Sequence, residues 1–370
     1  MPATILHLNT ETAWRGGEAQ TLELARGLVA LGHRCLLVGQ PHGELLRRAA
    51  AAGLESRPLI MRGELDLWAA WRLADIVRRN SVGILHYHTA HAVTLGTLAS
   101  LFCGRRPAVA ARRVSFPLRS GPLARLKYRF RVDRVIAVSQ GIRDDLVRQG
   151  LDPGRIEVVH SGIDPARFAQ GKRERFRASL RAPDGAALGD ALLIGTAGHL
   201  AAHKGIDLFL RAAAAVAPGF PAARFVIVGG GELLPALRQL AGRLGIAERA
   251  LFTGFRDDMP DVYAGLDIFV LASITGEGSP AVVKEAMAAG VPLVASALDG
   301  VREIVDDGRH GLLAPPGDPH ALARAIARLA GDRELGADLA SRARERVREF
   351  TLDRMVERTD RIYRSIQERR

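Results

Sequence analysis

The most informative part of this chain is the stretch Asp267–Gly290, with the sequence DIFVLASITGEGSPAVVKEAMAAG. Asp267–Ser273 is largely apolar, which predicts a buried parallel strand. Pro280 fits the first position of a helix, and Ala281–Ala289 is a strong helix former. A strand, a glycine-rich turn and a helix N-terminus in this order present free backbone N–H groups and a partial positive charge, so the stretch predicts an anion site.

Two glutamates add hydrogen-bond acceptors to this predicted anion site. Glu277 lies in the turn between Gly276 and Gly278, and Glu285 lies within the predicted helix. One carboxylate at the lip of the site and another in the helix are placed to grip hydroxyl groups of a molecule attached to the anion. A sugar nucleotide has this combination of groups, so the stretch predicts a sugar-nucleotide site.

Composition limits the class of protein. A chain of 370 residues exceeds the size at which a single core keeps growing, which predicts two domains. No apolar run reaches the roughly 18 residues that a bilayer span needs. Met1–Glu11 lacks the basic start and the cleavage site of a secretory signal. Cys35 and Cys103 form no disulfide or metal-binding pattern, so we expect a reducing cytoplasm.

The positive charge of the chain is concentrated in its first half. Residues 1–168 contain 24 Lys/Arg and 14 Asp/Glu, whereas the remainder contains 28 and 26. Arg105–Arg134 holds ten basic residues and one acid, Asp133, with apolar side chains such as Phe116 and Leu126 between them. This stretch favours peripheral contact with an anionic membrane at its inner face, or a phosphorylated acceptor. A solvated arginine-rich face is an equally good interpretation, and no motif for reading nucleic acid is present.

Strands and helices alternate along the whole chain, which predicts parallel sheets with right-handed crossovers. Two such series predict two doubly wound α/β domains facing one another across a cleft, with ligands bound beyond the carboxyl ends of the strands. The expected divisions are residues 1–168, a linker over 169–189 and residues 190–350, with a helix over about 351–370 returning to the first domain. The predicted strands are Thr4–Asn9, Cys35–Gly39, Ile84–His88, Ala108–Arg112, Val135–Ser139, Arg155–His160, Leu192–Ala197, Phe225–Gly229, Ala250–Thr253, Asp267–Leu271, Pro292–Ala295 and Gly311–Ala314.

Four further loops follow predicted strands and contain residues that suit a phosphate or a nucleotide. Gly16 and Gly17 open a helix after the first strand, where paired glycines let backbone approach a ligand. Lys204 stands at a helix start and is placed to neutralise phosphate. Gly229–Gly231 and Gly254–Arg256 offer close backbone approach and an aromatic edge for a base. Taken singly, each could be an ordinary turn or a surface lysine, but their shared position at strand ends favours one site.

The chain resembles the retaining GT-B glycosyltransferases of glycosyltransferase family 4 over essentially its whole length. The blocks that carry this resemblance are RGGEAQTLELARGLVALGH, VIAVSQGIRDDLV, IEVVHSGIDPARF, GTAGHLAAHKGIDLFLRAA, FVIVGGGELLPALRQLAGRLGIAERALFTGF, EGSPAVVKEAMAAGVPLVAS and GVREIVDDGRHGLLAPPGD. The E-x7-E element of Glu277 and Glu285 is the most specific of them. The resemblance implies two Rossmann-like domains, with the donor held mainly by the second.

The resemblance also implies roles for individual residues. Glu285 is expected to bind ribose hydroxyls, Glu277 to contact the donor sugar and Lys204 to pair with the diphosphate. The complete set implied to bind the donor is Gly16, Gly17, Lys204, Gly230, Gly254, Phe255, Arg256, Glu277, Gly278, Ser279, Pro280, Ala281, Val282 and Glu285. The donor is a nucleotide-diphosphate sugar such as a UDP- or GDP-sugar, and neither a cofactor nor a metal is expected.

Two positions depart from the family pattern. His199 stands where family members usually have an arginine, and an imidazole is a weaker diphosphate partner than a guanidinium. We retain His199 with Glu277 and Lys204 as a candidate catalytic residue. Arg113 stands roughly where many members have a histidine near the donor sugar, which leaves Arg113, His88 and His91 as acceptor-side candidates. A histidine at such a place is more often structural than catalytic.

The predicted reaction is transfer of a glycosyl group to an acceptor hydroxyl with retention at the anomeric carbon. Negative charge grows on the leaving diphosphate, so donors aimed at that group matter more than a strong nucleophile. The expected acceptor is a glycan or a lipid-linked molecule of the cell envelope, such as a lipopolysaccharide. Two alternatives remain, a nucleotide-sugar epimerase of the same fold and a non-catalytic module that binds nucleotide sugars.

Overall fold

The computed structural model of the chain describes residues 2–113, 128, 130–181 and 188–368. The chain forms two compact units. One comprises Met1–Gly162 together with Leu352–Arg370, and the other comprises Ile163–Thr351. Each unit has its own parallel sheet and its own core. Among the described residues, no helix combines the length and the apolar composition that a membrane span requires.

The first unit contains a seven-stranded sheet in the order β3-β2-β1-β4-β5-β6-β7. All of its neighbouring strands pair in parallel, and His7 of β1 lies opposite His86 of β4. Its strands are β1 (Thr4–Leu8), β2 (Arg34–Gly39), β3 (Glu55–Pro58), β4 (Ile84–Tyr87), β5 (Ala108–Arg112), β6 (Arg134–Ala137) and β7 (Ile156–Val158). Its helices are α1 (Gly16–Ala30), α2 (Glu44–Ala51), α3 (Leu67–Arg79), α4 (Ala90–Cys103), α5 (Gln140–Arg148) and, from the end of the chain, α15 (Leu352–Glu368).

Helix α15 packs against α1 at a glycine. A Cβ atom at Gly27 would lie 2.3 Å from Cγ2 of Val356, so only glycine allows the two helices to approach this closely. Val356, Ile362, Tyr363 and Ile366 of α15 are buried in the core on this side of the sheet. The last helix therefore belongs to the first unit.

The second unit contains a six-stranded parallel sheet in the order β10-β9-β8-β11-β12-β13. Its strands are β8 (Leu192–Ala197), β9 (Ala223–Val228), β10 (Ala250–Gly254), β11 (Ile268–Leu271), β12 (Leu293–Ser296) and β13 (Leu312–Ala314). Its helices are α6 (Pro165–Ala169), α7 (Arg173–Ser179), α8 (Ile206–Val216), α9 (Leu234–Arg243), α10 (Met259–Gly265), α11 (Ala281–Ala289), α12 (Asp299–Arg302), α13 (Pro319–Gly331) and α14 (Arg333–Arg346). Buried apolar residues of β9, β8 and β11 form the centre of the unit on both faces of the sheet.

The boundary between the units differs from the expected one. The sequence places it after Phe168, with residues 169–189 as a linker, but the second unit already begins at Ile163. Phe168 and Phe176 are buried in the core of the second unit, because α6 and α7 pack on it. A Cβ at Gly265 would lie 2.3 Å from the Phe176 ring, so the contact between α7 and α10 depends on glycine.

Two further details differ from the sequence-based expectations. Strand β3, with the sequence ESRP, was not predicted, because a short polar segment ending in proline has no strand pattern of its own. Its backbone pairs with β2 at the edge of the sheet. Pro280 is the N-cap of α11 and not its first helical residue, so the helix begins one position later, at Ala281.

Candidate functional site

The loops after β8 and β11 lie side by side, because these strands are neighbours in the sheet. The backbone N–H of Ile274 donates to the carbonyl of His203 at 2.8 Å. Gly205 has a φ of 60°, and a Cβ there would lie 2.1 Å from the carbonyl oxygen of Ala272. The topology therefore brings Lys204, at the end of a short 3-10 turn, beside the turn that holds Glu277.

Lys204 and Glu277 form an ion pair in which the carboxylate is buried. The distance from Lys204 Nζ to Glu277 Oε1 is 2.7 Å, and the Ser273 hydroxyl donates to the same oxygen at 2.6 Å. The side chain of Glu277 is 6% exposed, whereas that of Lys204 is 25% exposed. The structure thus brings together two residues predicted to act on the donor, and it adds Ser273, which the sequence did not single out.

Glu285 has a different set of contacts. The Tyr263 hydroxyl donates to Glu285 Oε2 at 2.8 Å. Burial raises the pKa of Glu285, and the hydrogen bond from Tyr263 and the charge of Arg167 oppose this rise. Glu285 is therefore a partly buried carboxyl held by a phenol from α10, on the side of α11 that packs against α6.

A buried lysine lies within the same helix. Lys284 is fully buried, and its Nζ donates to the Ser279 hydroxyl at 2.9 Å, with the Phe350 ring 5.8 Å away. Burial lowers the pKa of Lys284 to about 7, and the neighbouring charge of Glu285 opposes this. Because the ammonium donates to the Ser279 oxygen, the hydroxyl proton of Ser279 is available for another acceptor. Sequence reasoning missed Lys284, although a lysine inside an alanine-rich helix next to Glu285 was a visible signal.

The turn that holds Glu277 is closed from one side by Gly300 of α12. A Cβ at Gly300 would lie 2.2 Å from the carbonyl oxygen of Gly278 and 2.4 Å from that of Glu277. Any side chain at this position would displace the turn. The geometry around Ser279, Pro280 and the first turn of α11 (Ala281 and Val282) thus depends on a glycine that the sequence analysis did not identify.

The glycine loops after β8, β9 and β10 are tied together through backbone. Gly229 N–H donates to the carbonyl of Gly254 at 2.8 Å, and a Cβ at Gly229 would lie 1.9 Å from the Gly198 carbonyl oxygen. Around the expected Cβ position of Gly230 there is open space. This arrangement leaves the backbone at Gly230 open to close approach.

Of the remaining predicted site residues of the second unit, Phe255 is exposed, whereas Arg256 and His199 each face a carboxylate. The Phe255 side chain is 63% exposed. Arg256 forms a two-point ion pair with Asp258, at 2.8 and 2.6 Å, and lines a groove of about 540 Å³ beside the edge strand β10. His199 is paired with Glu232 of the loop after β9, with 3.2 Å between Nε2 and Oε2. The ion pairs of Arg256 and His199 are thus made with Asp258 and Glu232, and not with Lys204 or Glu277.

In the first unit, the glycine turn after β1 is linked to Arg113. Helix α1 begins at Gly16, and Arg113 Nη1 donates to the carbonyl of Gly17 and to the Thr21 hydroxyl. Arg113 Nη2 donates to His88 Nδ1 at 2.9 Å. The structure therefore brings together two of the three acceptor-side candidates.

His91 lies apart from these two residues. It is on α4, its side chain is 58% exposed, and its Nε2 is 3.1 Å from a carboxylate oxygen of Glu64. Residues 114–127 and 129, which make up half of the basic stretch Arg105–Arg134, lie outside the described residues. Of its described members, Arg105 is paired with Asp133 at 2.8 Å.

Arg113 starts a chain of hydrogen bonds through buried histidines. A guanidinium only donates, so His88 Nδ1 is the acceptor and the neutral His88 carries its proton on Nε2. That Nε2 is 2.9 Å from His7 Nδ1, which leaves the proton of His7 on Nε2. Burial, with Arg113 nearby, lowers the pKa of His7 to about 3 and keeps the ring neutral. His7 Nε2 and His86 Nε2 are buried polar atoms without a hydrogen-bond partner among the described residues, while His86 Nδ1 is 2.6 Å from the Tyr363 hydroxyl.

His7, His86 and His88 each offer a ring nitrogen, and these atoms lie within 4.8 Å of one another. Three neutral imidazoles are suitable ligands for a transition metal. However, ligating histidines usually donate their second nitrogen to a carboxylate or a carbonyl, and here a guanidinium donates to His88 instead. The positive charge and the tautomer that it imposes disfavour a dication, so we interpret the cluster as a neutral hydrogen-bonded chain. Sequence reasoning missed this cluster because His7 is far from the other two along the chain.

The chain has two doubly wound units with parallel sheets. In the second unit Glu277 lies in the turn after β11 and Glu285 lies in α11. This combination is typical of the GT-B class of glycosyltransferases. The family model described as Glycosyltransferase Family 4 matches residues 14–167, and the one described as Glycosyl transferases group 1 matches residues 191–332. The chain therefore belongs to the glycosyltransferase family that these two models describe.

Known proteins support the family and the fold. D-inositol 3-phosphate glycosyltransferase of Salinispora tropica is 34% identical over 289 residues, which is 74% of this chain and 58% of that protein. The match thus spans about three fifths of this relative's length. HepE of Anabaena, solved in complex with UDP-glucose, superposes with a TM-score of 0.87 at 23% identity, over 98% of this chain and 100% of that one. WaaG, a glycosyltransferase involved in lipopolysaccharide biosynthesis, superposes with a TM-score of 0.73 at 17% identity. That superposition covers 97% of this chain and 99% of WaaG.

Proposed function

We propose that this protein is a retaining, metal-independent glycosyltransferase that moves a sugar from a nucleotide-diphosphate sugar to an acceptor hydroxyl. The observation that carries the proposal is the Lys204–Glu277 ion pair, 2.7 Å long, beside the N-terminus of α11. A cation, a helix N-terminus and a buried carboxylate at one strand end are the groups that a diphosphate joined to a sugar requires. Family membership supports the same reaction.

Lys204 and α11 are proposed to bind the diphosphate. Lys204 is the more exposed partner of its ion pair, so its ammonium is able to move to a phosphate oxygen. The first N–H groups of α11 lack intrahelical acceptors and carry the positive end of the helix dipole. The Ser279 hydroxyl, whose oxygen accepts from Lys284, is proposed to donate its proton to the diphosphate. These groups stabilise the charge that develops on the leaving diphosphate.

The two glutamates are proposed to bind hydroxyl groups. Glu277 is held by Lys204 and Ser273 at one oxygen, so its second oxygen is proposed to accept from the donor sugar. Glu285 is held by Tyr263 through Oε2, and its Oε1 is proposed to accept from a ribose hydroxyl. In this reading Glu277 positions the sugar, and the leaving phosphate removes the proton from the acceptor hydroxyl on the same face.

The acceptor is proposed to be phosphorylated or lipid-linked and to belong to the cell envelope, so the protein would act at the cytoplasmic face of the membrane. The first unit supports this, because it contains 29 Lys/Arg and 17 Asp/Glu, whereas the second unit contains 23 of each. The name of the Salinispora relative specifies a phosphorylated acceptor, and WaaG is involved in lipopolysaccharide biosynthesis. HepE binds UDP-glucose, which makes UDP-sugars the first donors to test.

Mass spectrometry after incubation with UDP-sugars, GDP-sugars and candidate acceptors tests the reaction. Transfer releases free nucleotide and adds the mass of one glycosyl unit to the acceptor. NMR of the product then reports the anomeric configuration, which should be that of the donor. Sugar interconversion at constant mass would indicate an epimerase. Binding without any turnover, in the presence of competent acceptors, would indicate a non-catalytic module. Activity that is undiminished in Glu277→Ala and Lys204→Ala would contradict the site.

A further inference from the structure

The first unit carries a surface of large apolar side chains that its own core does not use. Ile60, Leu65, Leu67, Trp68 and Trp71 are 43–76% exposed, and the two indole rings stack with centroids 5.0 Å apart. We call these five residues the tryptophan face. Five large apolar side chains exposed within twelve residues form the kind of patch that marks an interaction site.

The packing of α3 explains why this face remains in solvent. Ala69, Ala70, Leu73, Ala74 and Val77 form the buried side of the helix and satisfy the core. The tryptophans lie on the opposite side. Helix α3 thus has an apolar face toward the protein and a second, aromatic face toward the exterior.

The polar residues around the tryptophan face indicate the charge of its partner. Arg62, Arg72, Arg78 and Arg79 are all exposed on the same helix and the loop before it. Arg62 and Arg72 have no ion pair among the described residues. Nearby acids are already engaged. Asp66 caps α3 by accepting from Ala69 N–H, Asp75 is paired with Arg79 at 2.8 Å, and Glu64 is paired with His91.

We propose that the tryptophan face docks on an anionic lipid bilayer, with the indole rings at the headgroup level and the arginines on lipid phosphates. Indole is amphipathic and prefers the membrane interface, and a helix with aromatic and arginine side chains on its outer face suits that position. The whole net charge of +12 resides on the first unit, since the second is balanced, so this unit is attracted to an anionic surface. The inference rests on the proposed membrane-associated function and assigns the membrane contact to α3. The sequence analysis instead assigned this contact to Arg105–Arg134.

Vesicle flotation of the full chain tests the proposal. The probes are vesicles of phosphatidylcholine that contain about 30% phosphatidylglycerol, so that their surface is anionic and attracts basic residues. We expect binding that weakens with salt and falls about tenfold in the double variant Trp68→Ala/Trp71→Ala, because the buried apolar area sets the affinity. The matched control is Val29→Ala/Leu31→Ala, which removes two exposed apolar side chains from the C-terminal end of α1 and the residue after it, in the same unit, and should bind as the natural chain does.

Tryptophan fluorescence gives a second, independent result. The chain contains three tryptophans, and Trp14 is partly buried under Arg48, so the exposed pair dominates the response. Anionic vesicles should shift the emission to the blue and reduce quenching by acrylamide, and the double variant should lose both changes. Equal flotation of natural chain and variant would overturn the proposal. So would protection from acrylamide without lipid, which would show that protein covers the face.

Donor turnover on a soluble acceptor separates this proposal from the proposed reaction. The double variant should keep its turnover, because the tryptophan face contains none of the residues proposed to bind the donor. A loss of flotation with full turnover supports the membrane surface. Absence of turnover in a chain that still floats would count against the transferase and leave the membrane surface standing.

Discussion

Replacing Lys284 with methionine should remove a large pH dependence of stability. The side chain is fully buried, and burial lowers its pKa from 10.5 to about 7. This difference corresponds to a free energy on the order of 5 kcal/mol. Between these two pH values the unfolded chain binds a proton that the folded chain does not, so the free energy of unfolding rises with pH. Below pH 7 both states are protonated and the folded state bears the full cost of the buried charge.

Urea unfolding at pH 6.5 and pH 9.5 measures this effect. Linkage predicts that the free energy of unfolding of the natural chain gains about 3 kcal/mol, relative to Lys284→Met, between the two pH values. Other titrating groups are shared by both proteins and cancel in the comparison. Lys172→Met is the control, since Lys172 is exposed and its replacement should leave the difference near zero. A difference between natural chain and Lys284→Met that does not change with pH would refute the reasoning.

Three further predictions concern the site in the second unit. Lys204→Ala should lower kcat/KM by about 100- to 1,000-fold in steady-state assays, the effect of removing one donor to a developing negative charge. It should also lower Tm, because the buried carboxylate of Glu277 loses its cation. Tyr263→Phe should raise the pKa of Glu285 further, because the phenol holds it down, so the donor KM should begin to rise at a higher pH as the solution is acidified. Steady-state pH profiles check this, and an unshifted profile would exclude a direct role of this pair. Gly300→Ala should raise the donor KM and lower stability by about 1–3 kcal/mol, since its Cβ would meet the Gly278 carbonyl oxygen at 2.2 Å. Gly219→Ala, where the added Cβ meets nothing, should do neither.

The strand-turn-helix unit around Glu277 was predictable because its signals are local. The apolar strand, the glycines and the alanine-rich helix are adjacent in sequence, and the structure places β11 and α11 within a few residues of the predicted bounds. The alternation of strands and helices predicted a parallel sheet, and the structure adds that β8 lies beside β11. Those two results together place Lys204 beside Glu277.

The parts that the sequence did not reveal depend on contacts between distant residues. Gly300 matters because α12 packs on the turn of Glu277, and no local pattern shows that contact. His7 meets His88 only through the pairing of β1 with β4. The expected linker contains Phe176, whose burial depends on where α10 lies. Short polar β3 is a strand only because β2 offers it hydrogen bonds.

The role of Arg113 could not be inferred from its position in the sequence alone. Its position in the family pattern suggested a replacement for a histidine near the donor sugar. In the structure its guanidinium is committed to the Gly17 carbonyl, the Thr21 hydroxyl and His88. Its first effect is to fix the tautomer of His88, and Arg113→Lys should disturb that chain because an ammonium lacks the planar fork.

Calorimetric titration of the protein with uridine, UMP and UDP, repeated with the guanosine series, measures how much each phosphate adds to binding. Affinity should rise steeply when the second phosphate is added. Lys204→Ala should remove most of this increment, and Glu285→Ala should weaken all the members of the better-binding series alike. Equal affinity for nucleoside and nucleoside diphosphate in both series, or an increment that survives in Lys204→Ala, would contradict a diphosphate site at the start of α11.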